Sequence, residues 1–186
     1  MASVLSRHAF SVQEWEEMGR LGLFDEDARM ELLDGEIVDM APIGARHQDC
    51  VNRLADPLWR LVAAEAVVQV QGPIRLGERS EPQPDVALLR RRPEGYADAL
   101  PTPPDVLLVA EVADASLASD RTKSVLYAAS GIPECWIVDL EGDQVIAMSD
   151  PRPGGYRTER SARGADELAV AGIPGARLRA AAILRP

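Results

Sequence analysis

The seven residues Val106-Leu107-Leu108-Val109-Ala110-Glu111-Val112 contain one polar side chain. A run this short and apolar, entered through Asp105 after the Pro-rich link Pro101-Thr102-Pro103-Pro104, reads as a strand buried on both faces. Such a strand needs cover on each side, which points to an α/β arrangement. Its polar residue, Glu111, sits near the strand end and must be paired, hydrogen-bonded or bound to a cation. A second apolar strand, Asp85-Val86-Ala87-Leu88-Leu89, opens with a carboxylate under the same constraint. If the two strands are neighbours, the acids converge.

The other segments supply the rest of such a fold. Ser11 with Glu14 matches a capping box and starts a short helix to Leu21. Asp34-Gly35 between two apolar runs signals a hairpin over Met30 to Met40. From Ala45 to about Ala66, Val51, Leu54, Ala55, Leu58, Leu61 and Val62 recur at helical spacing, with Pro57 expected to kink or interrupt the helix. Two short β segments are expected between Val67 and Leu76. Ser116 caps a helix to about Ser130, stopped by Gly131 and Pro133, with Lys123 and Tyr127 one turn apart on it. Cys135 to Asp139 and Gln144 to Met148 form a second hairpin, a shorter strand follows near Tyr156, and an edge segment ends at Leu184.

At 186 residues the chain can bury a core without staples. No repeat or linker divides it, so it reads as an N-terminal extension over 1–10 and one domain over 11–186. Cys50 and Cys135 lack metal-ligand spacing and read as reduced, partly buried thiols. There is no apolar run of the roughly 18 residues that span a bilayer and no export signal, so a cytoplasmic, non-membrane protein is expected. The net charge of −10 argues against tight nonspecific binding to nucleic acid. Arg75, Arg79, Arg90, Arg91 and Arg92 flank the Asp85 segment, either as a local basic rim or as solvated loop residues.

Two converging carboxylates make a hard oxygen site suited to Mg²⁺ or Mn²⁺, whereas zinc would want a His/Cys cluster. An ammonium at Lys123 on the next helix could assist a metal-bound water or stabilise charge developing on phosphate. Spacing alone leaves open that Asp85, Glu111 and Lys123 are ordinary structural residues. His47 reads as a capping or loop-ordering residue rather than a general base. Tyr127 reads as a helix-packing residue, and Trp59 and Trp136 as core or near-core aromatics.

Taken in order, Glu31-Leu32-Leu33-Asp34-Gly35-Glu36, Arg46-His47-Gln48, Gln83-Pro84-Asp85, Glu111-Val112, Lys123 with Tyr127 and Gly131, and Glu134-Cys135-Trp136-Ile137-Val138-Asp139 resemble the Uma-type family of restriction endonucleases. That family is a branch of the PD-(D/E)XK nuclease superfamily, and the resemblance runs from about Ser11 to Leu184. It implies a restriction-endonuclease-like core, a mixed central β-sheet flanked by helices. It also implies that Asp85 and Glu111 are ligands of Mg²⁺ or Mn²⁺ with the Val112 carbonyl assisting. Lys123 would be the superfamily lysine, moved from the strand, where Ala113 now stands, to the following helix. Glu31 would be a further metal or water ligand, and Gln83 would bond phosphate or orient a carboxylate. The sequence departs from many members at Ala113-Asp114-Ala115-Ser116, where they carry Ser-Pro-Ser. A homodimer is expected from the superfamily alone.

The expected function is therefore metal-dependent endonuclease cleavage of phosphodiester bonds in nucleic acid, DNA above all. The alternative is a catalytically inactive nuclease-fold module for binding or assembly, consistent with the acidic charge and the scarcity of aromatic residues.

Overall fold

The computed structural model describes residues 7–25, 27–62 and 65–184. The first six residues of the expected N-terminal extension, residues 63–64 of the expected long helix, and residues 185–186 lie outside them.

Helix α1, Val12–Arg20, begins at the predicted capping box: Ser11 Oγ accepts the Glu14 amide at 3.2 Å and Glu14 Oε2 accepts the Ser11 amide at 2.8 Å. Strands β1, Met30–Leu33, and β2, Glu36–Asp39, form the expected hairpin. Asp34 and Gly35 both take positive φ at the turn, as a two-residue loop of this kind requires. Arg79 O accepts the Gly35 amide and Gly35 O accepts that of Phe10, which clamps the hairpin between two other segments.

Helix α2, Ala45–Val62, runs through Pro57, so of the expected kink or interruption the interruption does not occur. Proline removes one amide donor, but Leu54, Ala55, Leu58 and Val62 on both sides of it are buried, and that packing carries the helix through. Ala66, expected in the helix, instead opens strand β3, Ala66–Val70. Only this one strand forms where two were expected. Gln71 turns to positive φ and Gly72-Pro73 follows, so the chain leaves the ladder and closes by single bonds from Ile74 to Pro82 and Leu76 to Ser80.

Strand β4, Val86–Arg90, and strand β5, Val106–Ala113, are antiparallel neighbours, so the strands that carry the two acids do lie side by side. Asp105 belongs to a 3₁₀ turn, Pro103–Asp105, just before β5. Helix α3, Leu117–Ala129, crosses over to strand β6, Glu134–Asp139, parallel to β5. Ser116 stands at its N-cap but does not cap with its side chain; its hydroxyl donates instead to Asp120 Oδ2 at 2.6 Å. Strands β7, Gln144–Arg152, and β8, Gly155–Ala162, complete a six-stranded mixed sheet in the order β3-β4-β5-β6-β7-β8. The strand near Tyr156 is thus eight residues long rather than short.

The tail does not extend this sheet. Strands β9, Glu167–Ala169, and β10, Arg177–Arg179, pair with each other, and a last turn of helix, α4, Ala180–Ile183, packs beside α2.

Alternation along the strands divides the core. Val86, Leu88, Leu108, Ala110, Val112, Trp136 and Val138 face α2, whereas Ala87, Leu89, Val109, Cys135 and Ile137 face α3. Glu111 therefore points to the α3 side. Every residue of β5 is buried, as the apolar run predicts. Cys50 and Cys135 are buried free thiols, and burial pushes Cys50 up to about 11. Trp136 is fully buried, but Trp59, expected near the core, is 52% exposed because it stands on the flank of α2. No helix among the described residues is long and apolar enough to cross a membrane.

Candidate active site

Strands β4 and β5 separate where β4 begins, and the site lies in that gap. Extending their register by two residues beyond the Val86–Ala110 pair would set Val112 against Pro84, which has no amide proton to offer. That leaves the Val112 carbonyl without a strand donor, while the Val112 amide is taken by a side chain: Asp85 Oδ2 accepts it at 2.8 Å. A strand residue projects its N–H and C=O to the same edge, so the Val112 carbonyl faces the same gap as the Asp85 carboxylate.

Glu111, 2% exposed, is held from α3. Tyr127 donates its hydroxyl to Glu111 Oε1 at 2.5 Å, and Lys123 Nζ lies 2.9 Å from the same oxygen. One helical turn separates the two donors, so both reach one carboxylate. Lys123 also lies 3.1 Å from Glu31 Oε2, which brings the β1 hairpin into the cluster. The Gln83 amide donates to that same Glu31 oxygen at 3.1 Å, while the Gln83 side chain is half-buried. Asp85, Glu111, Lys123, Glu31 and Gln83 thus come together, although they are drawn from β1, the segment before β4, β5 and α3.

Three further residues belong to the cluster: His47 and Tyr127, which the sequence reads as structural, and Asp120, which it does not single out. His47 does not cap α2; its Nε2 lies 3.0 Å from Asp85 Oδ2, so a proton on that nitrogen is donated to the carboxylate. Its Nδ1 is buried without a hydrogen-bond partner. Asp120, one turn before Lys123 on α3, is buried and within electrostatic reach of Lys123, Asp85 and Glu31. Tyr127 is a packing residue by its complete burial, but its hydroxyl also fixes Glu111. The i, i+3, i+7 spacing of Asp120, Lys123 and Tyr127 was the available signal, because it sets all three on one face of α3.

The electrostatics follow from this crowding. Burial pushes Glu111 up to about 7, with the Asp85 and Asp120 charges adding to it against the pull of Lys123. Burial likewise raises Asp120. Burial opposes the charge on Lys123, yet Glu111 and Glu31 outweigh it and hold the ammonium well above its ordinary range. The Asp85 hydrogen bond raises His47 against its own burial. Glu31, Asp85, Glu111 and Asp120 are all buried, with Lys123 as the only buried Lys or Arg among the described residues. That acidic excess leaves room for further positive charge.

The arginines supply little of it. Arg75 pairs with Glu16 and Glu81, Arg92 binds Asp105 at both oxygens, and Arg90 donates to Pro104 O. Arg90, Arg91 and Arg92 also stand at the far end of β4 from Asp85.

The profile of a family described as "Uma2: Putative restriction endonuclease" matches residues 15–181. The chain belongs to the Uma2 family. A solved structure described as "a putative nuclease belonging to DUF820", from Anabaena variabilis ATCC 29413, shares the Uma2 chain's fold with a TM-score of 0.75. It covers 94% of this chain and 97% of that one at 13% identity, which makes the likeness one of fold. No curated protein matches the chain. The mixed six-stranded sheet flanked by helices is thus the architecture of this nuclease-like fold, and in this Uma2 chain the buried acid cluster sits where its strands part.

Proposed function

We propose that the chain is a metal-dependent nuclease that hydrolyses phosphodiester bonds of DNA at the Asp85, Glu111 and Lys123 cluster. The observation that carries this reading is the convergence of buried carboxylates around one buried lysine at the open end of β4 and β5. Membership of a family described as restriction endonucleases supports DNA as the substrate.

The donor set fits a hard divalent cation. Among the described residues no three His, Cys, Asp or Glu side chains already stand as a ligand group. Mg²⁺ does not require one, since it is commonly held by one or two carboxylates, with waters and substrate phosphates completing its shell. Asp85 and Glu111 would supply the carboxylates, and the Val112 carbonyl is directed to the same gap. A bound Mg²⁺ or Mn²⁺ supplies charge neutralisation and polarisation of the scissile phosphate.

The protein's own groups do the rest. Lys123 stays protonated at neutral pH, so it acts as a hydrogen-bond donor and counter-charge to the attacking water and phosphate, not as a base. Glu31, anchored by the Gln83 amide, orients Lys123 and a water beside it. Tyr127 holds Glu111 and His47 holds Asp85 in the ligating orientation. The half-buried Gln83 side chain would bond a phosphate oxygen.

The test is nicking of supercoiled plasmid by the purified chain with Mg²⁺ or Mn²⁺, with EDTA as control. Lys123→Ala and Asp85→Asn should abolish it. The net charge of −10 favours a second reading, a nuclease-fold module that binds or assembles without cleaving. Equal background nicking by the wild type and both variants would select that second reading.

A further inference from the structure

Resting on the nucleic-acid substrate proposed above, we propose that Arg46 is a substrate-binding residue whose guanidinium takes a phosphate of the bound strand, and that Asp114 holds this guanidinium in the free protein and gives it up to the substrate.

Both ends of the Arg46–Asp114 pair are anchored beside Asp85. Arg46 and His47 are neighbours in the first turn of α2, and His47 Nε2 lies 3.0 Å from Asp85 Oδ2. From the other side, Asp114 stands two residues beyond Val112, whose amide that same Asp85 oxygen accepts. Two residues of extended chain span at most about 7 Å. Arg46 Nη1 donates to Asp114 Oδ1 and Nη2 donates to the Leu140 carbonyl, each at 2.6 Å. Leu140 follows β6, and its amide donates to the Ala113 carbonyl at the end of β5. The guanidinium therefore lies where the parallel strands β5 and β6 end, next to the acid cluster.

The chain needs a cation there. Each phosphate of a nucleic acid brings a negative charge, and the protein itself carries −10. Lys123 is buried and committed to Glu111 and Glu31, while Arg75 and Arg92 pair with the buried acids Glu81 and Asp105. Asp49, one turn along α2, is engaged by Arg53 at 3.3 Å. Arg46 differs from these, because its side chain is 56% exposed and that of its acidic partner is 37% exposed.

An ion pair this open contributes little, since water and salt screen both charges. Asp114 receives one guanidinium nitrogen here, whereas a phosphate can accept from two at once in charge-assisted bonds. Exchange of carboxylate for phosphate is therefore downhill, and the released Asp114 returns to water. A tie between α2 and the loop after β5 would make Arg46 and Asp114 act alike under substitution. A phosphate contact makes them act oppositely, because Asp114 then competes with the substrate.

The test is the dissociation constant of a short fluorescein-labelled DNA duplex, read by anisotropy across a salt series with Ca²⁺ in place of Mg²⁺. Arg46→Ala should raise it about tenfold and lower the salt slope by about one, whereas Arg46→Lys should keep the slope. Asp114→Asn should tighten binding about two- to fivefold. Should Arg46→Ala lose its circular dichroism, Asp114→Asn decides alone, since it keeps the shape of the side chain. Weaker binding by both variants, an unmoved constant in the deciding variant, or a wild type that binds no duplex overturns the proposal. Metal-dependent nicking with these constants unmoved overturns it and leaves the nuclease reading standing. Opposite shifts without nicking uphold the Arg46 contact and overturn cleavage instead.

Discussion

The Lys123 ammonium lies 2.9 Å from Glu111 Oε1, with 8% and 2% of the two side chains exposed. A buried pair of this kind makes a poor stabiliser taken whole, because both charges lose their hydration, but it is costly to break from one side. Here the imbalance is greater, since Glu31 and Asp120 also act on the same lysine and Asp85 adds its charge against Glu111. The site thus stores unfavourable negative charge that a cation would relieve.

Lys123→Met should accordingly destabilise the protein by about 3–5 kcal/mol in the absence of divalent ions, the usual cost of leaving a buried charge unpaired. Urea unfolding at neutral pH measures this. Adding Mn²⁺ should recover part of the loss, because a ligand bound by the native state alone stabilises it. No recovery would argue against a cation site among these acids.

His47 acts on the site through Asp85, which it touches at 3.0 Å. His47→Ala should lower Mn²⁺ affinity and plasmid cleavage about 10–100-fold, the usual effect of losing a partner that orients a ligand. His47→Gln, which keeps a donor, should restore part of both. Calorimetric titration with Mn²⁺ separates this role from a purely structural one, which would leave affinity unchanged.

Asp105 pins the start of β5: it accepts from the Thr102 amide and hydroxyl and from Arg92. Burial works against its charge, but these partners prevail and hold its carboxyl below the usual range. A carboxyl lowered on folding adds stability above its unfolded value, near pH 4, and loses it as pH falls through the folded value. Asp105→Asn should therefore cost roughly 1.5–3 kcal/mol at neutral pH, and the difference should shrink in acid. Denaturant unfolding across a pH series reads both limbs.

Gly35 combines a φ of +81° with a tight neighbour, since a Cβ there would meet Ala9 Cβ at 2.8 Å. Gly35→Ala should cost roughly 1–3 kcal/mol from the backbone and the overlap together. The hairpin carries Glu31, so cleavage should fall with it. Thermal unfolding checks the first effect and the plasmid assay the second.

Much of this was legible because it is local. Ser11 with Glu14, Asp34 with Gly35, and the apolar run of β5 each specify an element within a few residues, and each element forms. Pro57 does not interrupt α2: propensity registers the missing amide but not the buried face that holds the helix together. The single strand at β3 and the separate β9–β10 pair depend on where the chain turns at Gln71 and on which sheet a short strand joins, choices made by tertiary contacts. In the site, motif order named Asp85, Glu111, Lys123, Glu31 and Gln83, and the fold brings them together. For His47 the sequence leaves capping and loop ordering open, and its partner Asp85, in the segment before β4 and 38 residues away, is supplied only by the fold. Asp120 went unnoticed because one more acid on a helix carries no signal until its face is known.

The most direct measurement is the single-turnover rate of plasmid nicking in Mg²⁺ or Mn²⁺ for the wild type and Asp85→Asn, prepared identically. Asp85→Asn replaces the charge while keeping the shape and an acceptor oxygen for the Val112 amide, so the fold should persist. The predicted result is metal-dependent nicking by the wild type, abolished by EDTA and absent from Asp85→Asn. Nicking that survives in Asp85→Asn, or no metal-dependent nicking by a folded wild type, would contradict the assignment of this cluster as a nuclease site.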